Sequence, residues 1–445
     1  MKPSLESIRG CLEGVIPATL ATCAADGTPN VTYVSQIHFV DCQHVGLSFQ
    51  FFNKTRENVL ANPQVTIYVM DPNTAGRYRL AMQYLRTEST GPVFESMKAR
   101  LAGIASHTGM SGVFRLQGAD IYRVLDIEHV PGAEVVPPPS PNRLMALRGL
   151  CQQMGEATDL ETLLEQTLDT LQRYFAIPHL MLLMQDAAGE RLYTVASRGY
   201  EASGVGSEIL LGEGVIGVAA QQRTPIRITH MTHEYSYSRA IRERVRDSEL
   251  ADQLETEIPF PGLAEPHSQL ALPLMAGPRV VGVLYVESPE DLYFGYEDED
   301  ALSIVARQLG AAIVLLQQNN ECIAEEVPAR KLDLQIKHGA PLLIRRFISN
   351  NSIFIGDDYL IKGVAGSIFW KMVCDFTRDG RTEFSNRELR LDPSIRLPDI
   401  DDNLEARLIL LQRRLAERNT AITISKTGRG RFSLLIQHPI QLAEV

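Results

Sequence analysis

Two groups of basic residues stand where they could bind phosphate. Lys54, Thr55 and Arg56 follow a predicted strand and open a predicted short helix that also contains Asn58. The free amides of a helix start, with two cations beside them, suit an anion. The second group falls between positions 403 and 431, where seven basic residues stand against two acids. Its members are Arg407, Arg413, Arg414, Arg418, Lys426, Arg429 and Arg431. Such a concentration of positive charge is typical of a surface that contacts nucleic-acid phosphates.

Each group also has a plainer interpretation, which the sequence leaves open. The first group could only solvate the start of a helix. The second group could be solvated on an ordinary helical face, or it could belong to a domain that binds protein rather than DNA.

Other residue patterns indicate less chemistry. His230 and His233, with Glu234, could ligate a metal or a haem iron, although solvated loop histidines beside a surface helix are the more ordinary explanation. Gly212, Gly214 and Gly217 lack the rest of a dinucleotide fingerprint, so we interpret them as a tight turn into a helix. The six cysteines form no CxxC pair, and no Ser-His-Asp, Walker or metal-hydrolase motif is present. We therefore predict no catalytic residue and no metal ligand set.

Length and charge indicate several domains of unequal character. At 445 residues the chain suggests about three domains, and 44% apolar with 22% charged residues is typical of globular proteins. It has no apolar run of membrane-spanning length and no signal-peptide pattern at Met1, so we expect a cytoplasmic protein with no membrane contact. The net charge is −11, yet residues 329–445 carry 19 Lys and Arg against 14 Asp and Glu. A basic end on an acidic body favours double-stranded DNA as a partner of that end.

Two breaks divide the chain. Clustered prolines at 131–141 predict a stiff extended linker, and a second weak point lies at Glu325–Pro328. We therefore expect a first domain over 1–130, a linker over 131–142, a second domain over 143–320 and a third over 329–445.

The first segment predicts short strands around an Asp26-Gly27 hairpin turn, followed by the helix at Lys54 and a closing strand near residues 113–125. This order resembles the pyridoxamine 5′-phosphate oxidase-like split-barrel family of flavin and haem proteins, over about residues 15–128. The resemblance implies that Lys54, Thr55, Arg56 and Asn58 hold the phosphate of FMN, with haem as the alternative cofactor. The stretch 77–110 matches no known ligand contact.

The middle segment begins and ends with helical periodicity and carries strands between. Asp159 is a predicted helix cap, and Gly212-Glu-Gly-Val-Ile-Gly starts a helix between strands. This order resembles a GAF domain, which implies a small ligand bound between a central sheet and a cap, often in a dimer. In the closing helix, apolar residues at 302, 305, 309, 312 and 316 follow heptad spacing. That stripe could pair with a second copy of the chain or pack on its own sheet.

The last segment predicts strands, three helices and a terminal hairpin. Ser385 and Glu388 stand at capping-box spacing, and a third helix is expected over about 402–417. The order resembles the winged-helix domain of OmpR-type response regulators. The resemblance implies that the third helix enters the major groove and that the hairpin reaches phosphates.

The sequence therefore predicts a multidomain α+β protein made of a split β-barrel, a GAF α/β/α sensor fold and a C-terminal winged helix. We expect a homodimeric one-component transcription regulator that couples a small-molecule or redox signal to DNA binding. The alternative is a flavin- or haem-dependent oxidoreductase whose rear domains regulate it.

Overall fold

The fold is given by a computed structural model that describes most of the chain. The described residues are 2–13, 16–34, 37–49, 54–107, 116–136, 143–186, 188–229, 258–322, 341–395, 404–418, 421–428 and 430–445. His230, His233, Glu234 and Arg429 lie outside them, so their predicted roles stay predictions. We refer to residues 2–136 as the N-terminal region, 143–322 as the middle region and 341–445 as the C-terminal region.

A seven-stranded sheet forms the N-terminal region. Its strands are β1 (Ala18–Cys23), β2 (Pro29–Val34), β3 (Ile37–Asp41), β4 (His44–Phe49), β5 (Gln64–Met70), β6 (Arg77–Glu88) and β7 (Gly118–Val130). They are ordered β2-β1-β5-β6-β7-β4-β3, and all pairs are antiparallel. A 3-10 helix (Glu6–Leu12), α1 (Lys54–Ala61) and α2 (Pro92–His107) complete this region.

The N-terminal strands follow from alternating side chains. In β1 every second residue is buried, so Leu20 enters the core with Ile67 of β5 and Leu80 of β6. Gly27 has a φ of +88° at the predicted Asp-Gly turn between β1 and β2, which confirms that hairpin. Strand β6 and helix α2 occupy most of the stretch 77–110, for which the sequence matched no known ligand contact.

A six-stranded antiparallel sheet organises the middle region, in the order β10-β9-β8-β13-β12-β11. Its strands are β8 (His179–Gln185), β9 (Arg191–Arg198), β10 (Glu208–Leu210), β11 (Ile226–Ile228), β12 (Ser268–Ala276) and β13 (Arg279–Ser288). Its helices are α3 (Arg143–Glu156), α4 (Leu160–Tyr174), α5 (Gly214–Gln222) and α6 (Tyr296–Cys322).

The two faces of this sheet bury different helices. Residues of α3, α4 and α6 share one apolar cluster with one face, and α5 packs on the other. Leu302, Val305 and Leu309 of α6 are fully buried in the first cluster, so the heptad stripe packs on its own sheet. A β-carbon at Gly217 would lie 2.2 Å from the carbonyl oxygen of Leu210, so only glycine lets α5 approach so closely. This close packing confirms our interpretation of the glycine motif.

The C-terminal region contains two small sheets and three helices. Strands β14 (Leu342–Phe347), β15 (Ser352–Ile355) and β16 (Asp358–Ile361) pair antiparallel, and β20 (Ile440–Glu444) joins β14 in parallel. The second sheet has the order β17-β19-β18, from β17 (Glu383–Ser385), β18 (Ile422–Gly428) and β19 (Arg431–Ile436). The helices are α7 (Gly363–Asp379), α8 (Asn386–Leu391) and α9 (Leu404–Glu417).

Local signals in this region behave as predicted. The Ser385 side chain accepts a hydrogen bond from the backbone N–H of Glu388 and caps α8. Helix α7 ends at Gly380, whose φ is +66°. The apolar side chains of α9 join the same buried cluster as α3, α4 and α6. The middle and C-terminal regions therefore share a continuous core.

Candidate functional site

Helix α9 carries predicted DNA-contacting arginines, and several of them contact the middle region. The guanidinium of Arg407 lies over the ring of Tyr193 on β9, 3.8 Å from its centroid. Because Tyr193 is only 2% exposed, the ring presents its face to α9 at a desolvated contact. The sequence did not indicate this partner, which lies more than 200 residues earlier.

Arg413 makes two polar contacts between α9 and the middle region. It pairs with the carboxylate of Glu165 on α4 and donates a hydrogen bond of 2.6 Å to the carbonyl oxygen of Val195. Its side chain is 17% exposed, and burial lowers its pKa while the charge of Glu165 opposes that effect. Glu165 also pairs with Arg198 on β9, so one carboxylate serves two arginines.

The hairpin β18–β19 is held in the same way. Nζ of Lys426 lies 3.1 Å from Asp159 and 3.2 Å from Glu405. Asp159 is also the N-cap of α4, accepting from the N–H of Thr162 at 3.1 Å, as the sequence predicted. Burial raises the pKa of Asp159, but the Thr162 hydrogen bond and Lys426 lower it overall, so the carboxylate stays charged. One side chain thus starts α4 and anchors the hairpin.

A cleft of about 380 Å³, including space open to solvent, lies between α4, α9 and the hairpin. Charged side chains of both regions line it, among them Glu161 of α4 and Arg431 of β19. The two regions are therefore less tightly packed at the hairpin than at Arg413.

Arg414 and Arg418 differ from the other basic residues. The Arg414 side chain is 7% exposed and donates to the carbonyl oxygen of Leu360 and to Glu417, all inside the C-terminal region. Arg418 lies 3.8 Å from Asp358 and is 40% exposed. Arg414 is one of the residues expected to contact DNA, and in this conformation its side chain is buried within the C-terminal region.

The predicted phosphate group at α1 is only partly arranged for an anion. Lys54 is 58% exposed and lies 3.7 Å from Glu57. Thr55 accepts a hydrogen bond from the amide of Asn30. Asn58 is 1% exposed and donates to Thr22, so it points into the barrel. Of these residues, Lys54 alone offers a cation to solvent.

Arg56 is committed to a contact inside the barrel. It forms an ion pair with Asp120 of β7 and donates a hydrogen bond of 2.9 Å to the hydroxyl of Thr87 on β6. The Arg56 and Asp120 side chains are 12% and 9% exposed. Because Asp120 neutralises Arg56, Arg56 is held inside the barrel in this arrangement, and Lys54 is the predicted residue whose cation could face an FMN phosphate. Arg56 ties α1 to β6 and β7, a role that neither sequence interpretation included.

The N-terminal region meets the middle region through a buried charge cluster that sequence reasoning missed. Arg227 of β11 is 2% exposed and donates hydrogen bonds of 2.7 Å to the carboxylates of Glu13 and Glu299. The centroid of the Tyr296 ring lies 4.2 Å from its guanidinium carbon. Burial lowers the pKa of Arg227, but the two carboxylates raise it further, so it is charged. Arg100 of α2 also donates to Glu13. These contacts fix the barrel to one edge of the middle sheet.

Two further findings bear on the site. Within the described ranges, no group of His, Cys, Asp and Glu side chains is placed to hold a metal ion. No helix in the part of the chain that the structure describes is long and apolar enough to cross a membrane.

Two family models match the chain. Residues 4–122 match the model described as Pyridoxamine 5′-phosphate oxidase, and residues 159–313 match the model described as GAF domain. The chain contains a pyridoxamine 5′-phosphate oxidase-like domain and a GAF domain. The N-terminal and middle regions are named accordingly below. No curated protein matches the chain.

Solved structures resemble these two domains individually. The GAF domain of a phosphoenolpyruvate-protein phosphotransferase from Acinetobacter is 21% identical, with 40% of this chain and 97% of that chain covered and a TM-score of 0.32. A free methionine-R-sulfoxide reductase from Neisseria meningitidis is 18% identical, with coverages of 41% and 96% and a TM-score of 0.32. An FMN-binding protein from Syntrophomonas wolfei is 17% identical, with coverages of 29% and 86% and a TM-score of 0.25.

Proposed function

We propose that this chain is a one-component sensory regulator whose C-terminal region is a winged helix that binds double-stranded DNA. In this proposal α9 is the helix that enters the major groove, and the hairpin β18–β19 is the wing. The GAF domain senses a small molecule. The oxidase-like barrel either supports the GAF domain structurally or senses a second signal.

The single observation that carries the proposal is the direct contact of basic side chains on α9 with the GAF domain. Arg407 and Arg413, which would contact DNA, lie instead on Tyr193 and Glu165. A change in the GAF domain can therefore alter how many cations α9 presents to a duplex.

The contact also sets the direction of the response. Since Arg413 is 17% exposed, a phosphate cannot reach it while α9 lies against α4. The arrangement described here is accordingly the state with low DNA affinity, and DNA binding requires α9 to leave the GAF domain. Ligand binding in the GAF domain would shift this equilibrium by its difference in affinity for the two states.

The test is duplex binding by the full chain across a salt series, starting from a random double-stranded library. We expect selected duplexes whose affinity falls as salt rises, because phosphate contacts release counterions. Arg431→Ala should weaken binding to all sequences and reduce the salt slope by about one. The matched control is Arg307→Ala, which removes an exposed arginine of α6. A full chain that selects no duplex, even when Glu165→Gln weakens the contact of Arg413 with the GAF domain, would rule out the regulator.

The cofactor is a separate proposal on the same chain. The match of residues 4–122 to a pyridoxamine 5′-phosphate oxidase model supports FMN as the cofactor, although Arg56 is held by Asp120. Flavin supplies a redox-active ring when bound, and Lys54 would face its phosphate from the exposed side of α1. The absorbance spectrum of protein purified from riboflavin-replete cells tests this. A colourless protein whose melting temperature does not change with added FMN would restrict sensing to the GAF domain.

A further inference from the structure

A row of polar side chains crosses three inner strands of the GAF sheet close to one end of those strands. His179 of β8, Glu287 of β13 and Gln269 of β12 are neighbours in strand register. Tyr285 stands two residues before Glu287 and so shares its face, which is the face covered by α5. Most of the other residues on that face are apolar, among them Met181, Leu183 and Val283, so the row is polar within a mostly hydrophobic layer.

Glu287 is a buried carboxylate at the centre of this row. It is 0% exposed and accepts hydrogen bonds from the N–H of Leu263 at 2.7 Å and from the Tyr285 hydroxyl at 2.8 Å. Among the described residues, no lysine, arginine or histidine forms an ion pair with it. A buried carboxylate without a counter-charge is costly, so this position favours a positive group brought from outside the chain.

Gln269 supplies a second indication, and its amide nitrogen also lies 3.4 Å from Glu287 Oε2. It is 1% exposed, and its amide nitrogen donates 2.5 Å to the Tyr285 hydroxyl. Because that hydroxyl gives its only proton to Glu287, the Gln269 amide must be oriented with nitrogen towards Tyr285. The amide oxygen Oε1 is then a buried acceptor with no hydrogen-bond partner. A ligand N–H would satisfy it.

Aromatic rings surround the two acceptors. The Phe260 and Tyr285 rings are 6.4 Å apart, and the His179 and Tyr200 rings are 5.4 Å apart. Burial, and then the charge of Glu287, raise the pKa of Tyr200 well above its usual value, so its ring stays neutral. Neutral aromatic faces beside a carboxylate attract cations that carry an apolar body.

We propose that the GAF domain binds an organic ammonium ion at Glu287, with its N–H groups donating to Glu287 Oε1 and Gln269 Oε1. The proposal rests on the sensory function above and names the class of ligand that is sensed. A primary ammonium fits better than a quaternary one, because Gln269 Oε1 requires a donor. The ligand N–H takes the place of the Leu263 N–H on Glu287.

Displacement of the Leu263 N–H from Glu287 can affect α9 through the packing of neighbouring residues. Leu263 belongs to the segment 258–263, in which Pro261 packs on Gly204 and Ile258 packs on Gly206. A β-carbon at Gly206 would lie 2.6 Å from Ile258 Cδ1 and 3.9 Å from Arg414 Cδ. The glycine turn is therefore enclosed between the segment and α9, so displacement of Leu263 changes the surface on which α9 rests.

The test uses the full chain and n-butylammonium as the probe, with binding followed by calorimetry and by melting temperature. Pentanoate is the matched anion, and butyltrimethylammonium is the matched cation without N–H groups. We expect saturable binding of n-butylammonium, weaker binding of the quaternary ion and none of pentanoate. Glu287→Gln should weaken n-butylammonium binding about 10- to 100-fold. Glu290→Gln, which neutralises an exposed carboxylate three residues later, should bind like the wild type.

The apo variants separate a ligand site from a purely structural carboxylate. If Glu287 serves a ligand, Glu287→Gln leaves the melting temperature of the apo protein unchanged or higher, because an uncompensated charge is removed. A fall in apo stability with probe binding intact overturns the proposal, as does absence of saturable n-butylammonium binding. Should Glu287→Gln not fold, Gln269→Leu must weaken binding instead. Duplex binding measured without probe tests the regulator independently.

Discussion

The Arg407 guanidinium and the Tyr193 ring are stacked 3.8 Å apart across the boundary between α9 and the GAF sheet. Such a desolvated pair contributes about 2 kcal/mol. With the Arg413–Glu165 and Lys426–Asp159 pairs it forms a line of contacts along one side of the C-terminal region. All three cations are among the basic residues for which the sequence predicted contact with DNA.

Glu165→Gln should raise the DNA affinity of the full chain. It weakens the hold on Arg413, and a partly buried ion pair of this kind contributes about 1 kcal/mol, so we expect about a fivefold gain in affinity. The measurement is fluorescence anisotropy on a selected duplex. Asp169→Asn is the control, since Asp169 contacts Arg198 from the same helix but not α9. Equal gains in both variants would show that α4 charge, rather than contact with α9, controls affinity.

Asp159→Ala and Asp159→Asn should differ in stability. Alanine removes the cap of α4 and should lower the free energy of unfolding by about 1 kcal/mol, whereas asparagine still accepts from the Thr162 N–H. Both lose the charge that holds Lys426. Urea unfolding followed by circular dichroism measures the difference. If asparagine destabilises as much as alanine, the ion pair outweighs the cap.

Asp120→Ala should destabilise the barrel strongly. It leaves the Arg56 charge in a site where that side chain is 12% exposed, and breaking a mostly buried pair in this way costs about 3 kcal/mol. Replacing both partners by Arg56→Met with Asp120→Leu should recover much of the loss. Lys54→Met is the control, and its exposed pair should change unfolding by less than about 0.5 kcal/mol. A mild effect of Asp120→Ala would show that the pair contributes little to the stability of the barrel.

His38 should make stability depend on pH. Burial, together with the charges of Arg100 and Arg227, lowers its pKa to about 3. The unfolded chain has a His pKa of about 6.5, so between these values the unfolded state binds the extra proton. Stability is therefore fully present above pH about 6.5 and falls as pH drops towards 3, by up to about 1.4 kcal/mol per pH unit.

The measurement for His38 is the slope of unfolding free energy between pH about 6.5 and about 5, above most carboxylate titrations. His38→Gln should flatten this slope. His44→Gln is the control because His44 is hydrogen-bonded to Asp41 on the adjacent strand. Identical slopes in wild type and His38→Gln would show that His38 is protonated in the folded protein.

The sequence was informative wherever neighbours in the chain decide the structure. The Asp159 and Ser385 caps, the Asp26-Gly27 turn and the glycines before α5 each depend on residues a few positions apart. Periodicity also located most strands and helices. Strand β6 was missed because its polar residues obscure the alternation that buries Leu80 and Met82.

The partners of the site residues could not be predicted in the same way. Arg413 meets Glu165 across 248 residues, and Arg56 meets Asp120 across 64. Nothing in a single sequence distinguishes an arginine that faces a carboxylate from one that faces solvent. Glu287 likewise sits in a strand whose pattern gives no sign that its charge is buried without a cation.

The placement of Arg413 has a consequence for genetics. A side chain that holds α9 to the GAF domain and also serves the duplex, as we propose, gives opposing effects when it is replaced. Loss of the contact with the GAF domain raises DNA binding, whereas loss of the contact with the duplex lowers it. Substitutions of Arg413 can therefore leave the activity of the regulator almost unchanged. Informative alleles should instead arise at Glu165 and Tyr193, which touch α9 from the GAF domain only. Screens for constitutive activity are expected to recover substitutions at these two positions and not at the arginines.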